Sequence, residues 1–347
     1  MTKVLIVIVN YNGLTYLRDC LESLAVINYL AGQSAVLVVD NASTDGSVDY
    51  LKKDWSKIKL IENQSNIGFA AGNNIGLEYA GSNGFDYAYL LNQDTVVDPS
   101  FLAQAVALAQ TDSQIAAVQS KLLLYQDKTK INSLGNEIHY LGFAFAGGYK
   151  LTDYPLAARE ITYASGAAML LKVPILKEVG FFNPDFFMYH EDVDLGWRLW
   201  LSGYKVVLAP DSIVYHKYEF SRSIKKYYYM ERNRYLVMLQ NYKLATLILI
   251  FPAWLVMDLA LLFYSFFAGF WRQELSVCFY FFSLKNWAKI ITTRRRIQKN
   301  RRLSDCEVIK RFVGKIEFQD LKNPLLQYLA NPIFNFYWLI IKKIIWW

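Results

Sequence analysis

The chain has 347 residues, of which 54% are hydrophobic and 16% aromatic, and its mean hydropathy of +0.14 is high for a fully soluble enzyme but low for a multi-span transporter. Three widely separated cysteines argue against a disulfide framework and suit a reducing compartment. Residues 1–220 have a net charge of −7 (16 Lys and Arg, 23 Asp and Glu), whereas residues 221–347 have a net charge of +14 (21 and 7), which indicates two parts with different tasks.

The first 110 residues alternate strand-like and helix-like segments. Leu14–Leu24 has the apolar spacing of a helix. Apolar runs predict buried strands at Val4–Val9, Val36–Val39, Ile58–Ile61 and Tyr87–Leu91. The first of these runs is short and lacks a cleavage site, so it does not predict a signal peptide. Strands alternating with helices predict an α/β fold with a mostly parallel sheet that is covered on both faces.

Polar loops follow three of the predicted strands, namely Asn10–Gly13, Asp40–Asp45 and Asn92–Asp94. Because ligands of such sheets bind beyond the carboxyl ends of the strands, we expect these loops to gather at one edge and form a nucleotide site. Neither a Gly-x-Gly-x-x-Gly fingerprint nor a Gly-Lys-Ser/Thr phosphate loop follows the first strand. The sequence therefore argues against a dinucleotide enzyme and against a phosphate-loop NTPase.

What remains is a site that binds its nucleotide through strand-end carboxylates and a metal ion. Asp40 can accept a hydrogen bond from the imide N–H of a uracil- or thymine-type base. Asp94 can present a carboxylate to Mg²⁺ or Mn²⁺ on a diphosphate, and His216 can complete the metal shell, where imidazole favours Mn²⁺. Ordinary turn, cap or structural roles remain open for all three residues.

A second acidic cluster lies at Tyr189–Arg198, where three carboxylates fall within four residues after an aromatic run. Carboxyl groups set against aromatic surface can have pKa values tuned for proton transfer. The same acids also suit the first turn of a helix, with Asp194 and Arg198 as an i,i+4 pair. The pattern alone does not decide between these two interpretations.

Together these motifs resemble family 2 glycosyltransferases with the GT-A fold. The resemblance rests on Val9-Asn10-Tyr11-Asn12, Val38–Gly46, Asn66–Asn74 and Leu91-Asn92-Gln93-Asp94, and is extended by Ser165-Gly166-Ala167, Glu191–Leu195 and Val214-Tyr215-His216. Within the family, the pattern is most similar to bacterial rhamnosyltransferases of polysaccharide and O-antigen assembly. The resemblance implies a nucleotide-diphospho-sugar transferase domain with a Rossmann-like mixed sheet over residues 1–225.

The resemblance also implies a role for each matching position. The residues implied to hold the base, nucleotide or donor are Asn10, Tyr11, Asn12, Asp40, Asn66, Gly68, Asn73, Asn92 and Asp94. For the stretch from Asn66 onward, a plain helix start remains open. Asp94 and His216 are the implied metal contacts, and Asn92 replaces the first carboxylate of the family's Asp-x-Asp motif. Asp192 is the implied general base, whereas Glu191 and Asp194 receive no separate role.

These roles predict an inverting, metal-dependent hexosyltransferase. The metal-held diphosphate leaves the anomeric carbon, an acceptor hydroxyl attacks from the opposite face, and Asp192 takes its proton. The first choice of donor is dTDP-L-rhamnose, and the expected acceptor is a polyprenyl-diphosphate-linked saccharide of cell-surface polysaccharide synthesis. A UDP-sugar donor (GlcNAc, Gal or Glc) and a non-catalytic GT-A assembly partner are the alternatives. The aromatic run before Asp192 is a candidate wall for acceptor sugar rings (Phe181, Phe182, Phe186, Phe187 and Tyr189).

Residues 226–347 are predicted to form a helical membrane-associating region. The run Leu244–Trp271 contains Asp258, which is costly in hydrocarbon, and a second apolar run covers Leu275–Ile291. A single crossing would place the cationic cluster Arg294–Arg302 outside, against the positive-inside rule. We therefore expect a peripheral or monotopic protein at the cytoplasmic face of the cell membrane. Two crossings, a soluble core and a homo-oligomer interface remain open, and nucleic acid is not an expected partner.

Overall fold

A computed structural model describes residues 2–29, 32–218, 226–317 and 324–347. The chain divides into two compact units. The first comprises Met1–Asn136, Ala146–Leu199 and Tyr204–Tyr218, and the second comprises Glu137–Phe145, Trp200–Gly203 and Glu219–Trp347. The predicted boundary between residues 225 and 226 adjoins a segment outside the described residues and stays a prediction.

Among the described residues, ten strands form the sheet of the first unit. They are β1 Val4–Asn10, β2 Ser34–Asp40, β3 Lys59–Glu62, β4 Tyr87–Leu91, β5 Thr95–Val97, β6 Ile115–Leu124, β7 Ile131–Ser133, β10 Arg159–Glu160, β11 Ala168–Lys172 and β12 Lys205–His216, while β8 Asn136–Ile138 and β9 Ala144–Ala146 form a separate pair. The strand order is β10-β12-β6-β11-β4-β1-β2-β3, with β5 added to β12 and β7 to β6. All four strands predicted in the first 110 residues are present.

The sheet is mixed rather than mostly parallel. β1 runs parallel to β2 and β4, and β2 runs parallel to β3, as the alternating pattern predicts. β11 lies antiparallel between β4 and β6, and β6 in turn runs parallel to β12. The carboxyl ends of β1, β2 and β4 therefore share one edge, which is where the polar loops begin.

Helices cover this sheet and complete its core. They are α1 Leu14–Leu24, α2 Ser47–Asp54, α3 Gly68–Ser82, α4 Phe101–Gln110, α5 Val173–Val179 and α6 Glu191–Leu201, the last of which ends in the second unit. Leu17, Leu21 and Leu24 of α1 are buried, as its apolar spacing predicts. They join Ile6 and Ile8 of β1 in one hydrophobic cluster that also contains residues of β4, β6 and α4.

The middle of the chain is more regular than the sequence indicates. β6 and β12 are ten and twelve residues long. The apolar pattern of β6 is interrupted by Gln119, Ser120 and Lys121, yet all three are buried. Each is satisfied by a partner, such as Ser133 for Gln119 and Asp153 for Lys121. Because buried polar groups are tolerated when hydrogen-bonded, an interrupted apolar pattern did not reveal this central strand.

Residues 226–317 and 324–347 of the second unit are mostly helical. Its helices are α7 Tyr227–Asn241, α8 Leu244–Ala268, α9 Trp271–Phe281, α10 Leu284–Asn300, α11 Asp305–Val308 and α12 Asn331–Ile344. The apolar run Leu275–Ile291 is divided between α9 and α10, so it does not form one returning span. Within the described ranges, α8 alone is long and apolar enough to cross a membrane, by length and composition only. It fits the predicted membrane-associating region.

Candidate active site

The three polar loops gather at the carboxyl edge of the sheet, as predicted. Asn10 and Asp40 lie opposite each other at the ends of β1 and β2, and Asn10 Nδ2 donates to Asp40 Oδ2 at 2.7 Å. The amide of Tyr11 donates to Gln93 Oε1 at 3.1 Å, which joins the first loop to the third. Gln93 was not singled out in the sequence, although it is the middle residue of the Asn92–Asp94 turn.

Asp40 organises the loop that follows it. Its carboxylate is 1% exposed and accepts the backbone N–H of Ser43 at 2.8 Å and its hydroxyl at 2.6 Å. The Ser43 hydroxyl in turn accepts the N–H of Asn12 at 2.9 Å, and Asn12 Oδ1 accepts the N–H of Thr44 at 2.8 Å. Asn12 and Ala42 have φ values of 49° and 62°, so both bends are left-handed.

A cavity of about 300 Å³ opens beside this loop. It is lined by Asp40, Ala42, Ser43, Thr44, Gly46, Val48, Asp49, Glu62 and Asn63. Its volume lies at the lower end of the range of small-molecule sites and suffices for a nucleobase. Tyr11, at the start of the adjoining loop, is 47% exposed. Of the predicted base-binding residues, Asp40 lines this cavity, and hydrogen bonds join Asn10 to Asp40 and Asn12 to Ser43.

Asp45 holds the end of this loop through backbone N–H groups. The residue before α2 is Gly46, with φ of 87° and no side-chain cap. Asp45 accepts from the N–H groups of Leu14 and Ser47 at 2.8 and 3.0 Å. Partial burial opposes ionisation of Asp45, but the hydrogen bonds from Ser47 and Leu14 outweigh it and lower the pKa of that carboxyl. Asp45 is thus a structural residue.

Asp94 and His216 meet at the far side of the third loop. β12 pairs with β5 so that His216 lies opposite Thr95, and this brings His216 Nε2 to 3.4 Å from Asp94 Oδ1. Two neighbouring ligands of an octahedral cation with bonds of about 2.1 Å lie roughly 3 Å apart. The two side chains therefore fit one shared divalent cation.

Asn132 holds the other side of the imidazole and was missed in the sequence. Its Oδ1 lies 2.9 Å from His216 Nδ1, and both side chains are buried. An acceptor at Nδ1 fixes the proton there and leaves the Nε2 lone pair directed towards Asp94, which is the arrangement found behind metal-bound histidines. Asn132 lies on β7, 84 residues away, so no local spacing connects the two. Among the described residues, no group of three or more His, Cys, Asp or Glu is arranged to hold a metal ion, so Asp94 and His216 would supply only part of a cation's coordination shell.

Asp192 lies in the first turn of α6 and is held by backbone amides. The N–H of Gly166 donates to Oδ2 at 3.2 Å, and the N–H of Val193 donates to Oδ1 at 2.8 Å. The next residue, Ala167, accepts the N–H of Asn92 at 3.0 Å, so the Ser165–Ala167 segment links Asp192 to the third loop. Burial raises the pKa of Asp192 to about 6, although the hydrogen bonds from Gly166 and Val193 oppose the rise. This value suits a group that accepts a proton near neutral pH.

A strained turn delivers Asp192 to this position. Phe187, Tyr189 and His190 have φ values of 63° to 65°, and Met188 N–H donates to the Phe186 carbonyl at 2.7 Å in a three-residue turn. Side-chain-bearing residues in such sparsely populated regions cost of order 1–3 kcal/mol each. Strain of this kind persists where the surroundings hold it, and it clusters at active sites.

The Asn66–Asn74 segment is one of those surroundings. Gly68 has φ of 87°, and a Cβ there would lie 2.5 Å from the carbonyl oxygen of Phe187. Asn66 Oδ1 accepts the N–H of Gly68 at 2.9 Å, and Asn73 Nδ2 donates to the Phe69 carbonyl at 3.0 Å. These contacts match the helix-start alternative, since the segment begins α3. Contact of Asn66, Gly68 and Asn73 with the donor stays a prediction.

Asp194 and Glu191 differ in their surroundings. Asp194 accepts from Arg198 Nε at 2.8 Å, and both side chains are almost fully buried. Arg198 also donates to the carbonyls of Val179, Gly180 and Phe181, so this pair fixes the chain that enters the strained turn. Glu191 is 5% exposed and its Oε2 has no hydrogen-bond partner. Burial first, and then the neighbouring Asp192 charge, raise the pKa of Glu191 well above its ordinary value.

The aromatic run before Asp192 is only partly available to a ligand. Phe182 and Phe186 are 3% and 0% exposed, so they belong to the core and offer no face to a sugar ring. The hypothesis of an acceptor wall is wrong for these two residues. Phe181, Phe187 and Tyr189 are partly exposed.

Residues 2–235 match the family described as "Glycosyltransferase like family 2". The chain belongs to this family. An N-acetylglucosaminyl-diphospho-decaprenol L-rhamnosyltransferase of Mycobacterium tuberculosis is 27% identical over 237 residues, which are 62% of this chain and 76% of that enzyme. The glycosyltransferase activity, the GT-A fold and the likeness to rhamnosyltransferases predicted from the sequence are thus confirmed.

Solved structures share the fold at low identity. Residues 1–349 of TarS from S. aureus in complex with UDP-GlcNAc align with a TM-score of 0.53 and 16% identity, over 99% of this chain and 91% of that chain. GalNAc-T7 with UDP, GalNAc and Mn²⁺ aligns with a TM-score of 0.55 and 16% identity, over 69% of this chain and 48% of that chain. Identities this low establish the GT-A architecture alone.

Proposed function

We propose that this glycosyltransferase is metal-dependent and inverting, and that it transfers L-rhamnose from dTDP-L-rhamnose to a polyprenyl-diphosphate-linked saccharide at the cytoplasmic face of the membrane. The observation that carries the metal-dependent mechanism is the Asp94–His216 pair, with Asn132 behind it and a buried-amide cradle for Asp192. The choice of rhamnose and of a lipid-diphosphate acceptor is supported by the mycobacterial relative, whose name contains both.

The nucleotide binds at the edge of β1 and β2. In this proposal the base enters the cavity beside Asp40, whose Oδ1 accepts a hydrogen bond from Ser43 and retains capacity for the imide N–H of the base. Asn12 is hydrogen-bonded to Ser43 and Thr44, which line the cavity. A pyrimidine of the uracil or thymine type supplies the required donor, whereas cytosine lacks it.

The diphosphate lies at the third loop. Asp94 Oδ1 and His216 Nε2 would hold a Mn²⁺ or Mg²⁺ ion, which when bound neutralises the charge that develops on the leaving diphosphate. Asn92 carries no charge, so Asp94 is the carboxylate of this motif. An imidazole ligand makes Mn²⁺ the better fit.

Asp192 acts on the acceptor. Its carboxylate takes the proton of the attacking hydroxyl as the new bond to the anomeric carbon forms and the bond from that carbon to the diphosphate oxygen breaks. The amides of Gly166 and Val193 fix the orientation of the carboxylate. Such general-base catalysis contributes roughly 10²–10⁴ in rate. Attack from the face opposite the leaving group inverts the anomeric configuration.

The second candidate is a UDP-sugar transferase of the same fold. It is favoured by TarS, whose structure holds UDP-GlcNAc. A non-catalytic role is disfavoured, because a strained turn and two amides that orient a carboxylate serve no purpose in an inert domain.

Donor binding distinguishes the two enzymatic candidates. The thermal unfolding midpoint of the full chain is measured with Mn²⁺ and each of dTDP-L-rhamnose, UDP-GlcNAc, UDP-Gal and UDP-Glc. A ligand present at about 100 times its Kd stabilises by about 2.7 kcal/mol, which is a clear shift. We expect the largest shift with dTDP-L-rhamnose, followed by Mn²⁺-dependent transfer of rhamnose to a diphosphate-linked acceptor. A larger shift and turnover with a UDP-sugar overturns the proposed donor.

A further inference from the structure

α8 has two unlike faces. Leu244, Ile248, Phe251, Leu255 and Leu259 recur every three or four residues and are 46–65% exposed. This spacing places them along one side of the helix. Thr246, Ile250 and Met257 lie on the other side and are buried within the second unit. α8 is thus apolar on both sides but packed on one.

An ion pair joins α8 to the buried charged side chains of α7. Asp258 Oδ1 lies 2.7 Å from Arg234 Nη2 of α7, and the Arg234 side chain is 1% exposed. Arg234 Nε also donates to Glu231 at 3.0 Å, and Nη1 donates to the Leu141 carbonyl at 2.9 Å. Asp258 pairs with α7 but is 30% exposed and follows Leu255 by three residues, so it lies at the edge of the exposed stripe, and hydrocarbon cannot surround α8 at its middle without also reaching this ion pair.

α12 carries a second exposed apolar stripe and packs on α8. Its Tyr337 hydroxyl donates to the Leu249 carbonyl at 2.5 Å, and Trp347 Nε1 donates to Thr246 Oγ1 at 2.9 Å. Ile333, Phe336 and Ile340 of α12 are 46–67% exposed. Two neighbouring helices that each expose a stripe of large apolar side chains are unusual for a protein surrounded by water alone.

α10 exposes positively charged side chains. Its inner face is used within the unit, because Arg294 donates to the carbonyls of Leu239 and Tyr242 at 2.6 Å, and Gln298 donates to that of Asn241 at 2.9 Å. Four of its exposed cations follow at intervals of four, seven and three residues and so share the opposite face: Lys285, Lys289, Arg296 and Lys299. The predicted cationic cluster is thus divided between internal capping and an exposed basic stripe.

We propose that the second unit docks on one side of an anionic phospholipid bilayer without crossing it. The apolar stripes of α8 and α12 enter the boundary between headgroups and acyl chains, and the basic stripe of α10 binds lipid phosphates. The charge complementarity of the α10 stripe selects an anionic lipid surface over a second copy of this basic unit. This docking rests on the proposed membrane association and specifies the lipid that is bound, the helices that bind it and how far they enter the bilayer.

Vesicle binding tests the surface. The full chain is mixed with phosphatidylcholine vesicles that contain or lack phosphatidylglycerol, and the bound fraction is measured by flotation. Phe251→Ser with Leu255→Ser should weaken binding to both vesicle types by about tenfold or more, whereas Leu151→Ser, an exposed apolar residue of the first unit, should not. Lys285→Glu with Lys289→Glu and Arg296→Glu should weaken binding by about tenfold or more, and only with phosphatidylglycerol present.

Contrary outcomes of this assay are clear. Unchanged binding of the α10 variant to anionic vesicles overturns the basic stripe as a lipid contact. If the parent chain self-associates without binding lipid, and the Phe251 and Leu255 variant does not self-associate, the stripe is an interface between copies. That result overturns the proposal. Unfolding midpoints of all variants are measured alongside, so that misfolding is recognised.

A labelling experiment tests whether α8 stays on one side of the membrane or crosses it. In a Cys278→Ser and Cys306→Ser chain, an exposed thiol is introduced either at Ser82 of the first unit or at Gln273 of α9, beyond α8. A membrane-impermeant maleimide is applied to right-side-out and inverted membrane vesicles from expressing cells. One-sided docking predicts that Ser82→Cys and Gln273→Cys react in the same vesicle type, whereas reaction in opposite types means that α8 crosses the membrane. Transfer to a water-soluble acceptor, measured separately, reports on the proposed enzymatic reaction regardless of this result.

Discussion

The two units differ in what they expose, because both have buried apolar residues but the second unit also exposes many large apolar side chains. In the first unit, Ile6 and Ile8 are fully buried in the sheet, and the functional polar groups lie where the strands end. In the second unit, Glu231 and Arg234 are buried, whereas Phe251 and Phe267 are 55% and 77% exposed. Large apolar side chains that are exposed together are unusual on a surface that meets only water, and they mark surfaces that bind another partner. This difference supports the proposed contact of the second unit with lipid.

The largest expected effect lies in the first unit. Asp192→Asn retains the shape of the side chain but removes the base, so kcat should fall by about 10²–10⁴. Donor binding and the unfolding midpoint should change little. The matched control is Asp211→Asn, an exposed carboxyl of the same unit. Steady-state transfer assays measure the loss, and near-normal turnover would remove Asp192 from its assigned role.

Each unit contains a buried arginine that pairs with a carboxylate, so the stability contributions of the two pairs can be compared. Arg198 pairs with Asp194 in the first unit, and Arg234 pairs with Glu231 in the second. Arg198→Met and Arg234→Met each leave a buried carboxylate without its partner, which should cost about 3–5 kcal/mol of unfolding free energy. Arg295→Met, at an exposed position on α10, should cost little.

The Arg198 and Arg234 substitutions should differ in their effect on kcat. Arg198→Met frees the chain that enters the strained turn before Asp192, so kcat should fall in the protein that remains folded. Arg234→Met should leave kcat with a water-soluble acceptor unchanged below the unfolding temperature. Denaturant unfolding and kinetics on the same samples separate these effects. Equal loss of kcat in both variants would remove Arg198 as a positioning residue.

The sequence predicted local features of the fold and site better than distant ones. The strands at Val4–Val9 and Tyr87–Leu91 were recognisable because each is a continuous apolar run. The polar loops were placed at one edge because parallel strands share a direction. The family resemblance supplied roles for Asp94, Asp192 and His216 that spacing alone left open.

What the sequence did not reveal depends on contacts between distant residues. Asn132 reaches His216 across 84 positions, and nothing in its own neighbourhood marks it. The burial of Gln119 inside β6 depends on a partner, Ser133, that the apolar pattern does not identify. The strained residue Phe187 lies against Gly68, which only the folded chain brings near. Patterns of period two or 3.6 contain none of this information.

The Asn132 contact gives the next largest expected effect. Asn132→Leu removes the acceptor at His216 Nδ1, so the imidazole loses its fixed tautomer, and Mn²⁺ affinity in the presence of a nucleoside diphosphate should fall by about 10–100-fold. Asn132→Asp retains an acceptor and should preserve binding. Electron paramagnetic resonance of free Mn²⁺ measures the affinity without turnover. Equal affinity in the Leu and Asp variants would assign Asn132 a purely structural role.

The smallest expected effect is a pH dependence that separates the two adjacent carboxyls of α6. A general base works when deprotonated, and the pKa of Asp192 is raised to about 6, so kcat/KM should fall about tenfold per pH unit below 6 and level off above it. The pKa of Glu191 is raised well above its ordinary value, first by burial and then by the Asp192 charge, which favours the neutral form of this side chain. Glu191→Gln preserves that neutral state and should leave the midpoint near 6. If Glu191 were ionised instead, its removal would relieve repulsion and shift the midpoint to lower pH, because an uncharged neighbour makes it easier for Asp192 to lose its proton.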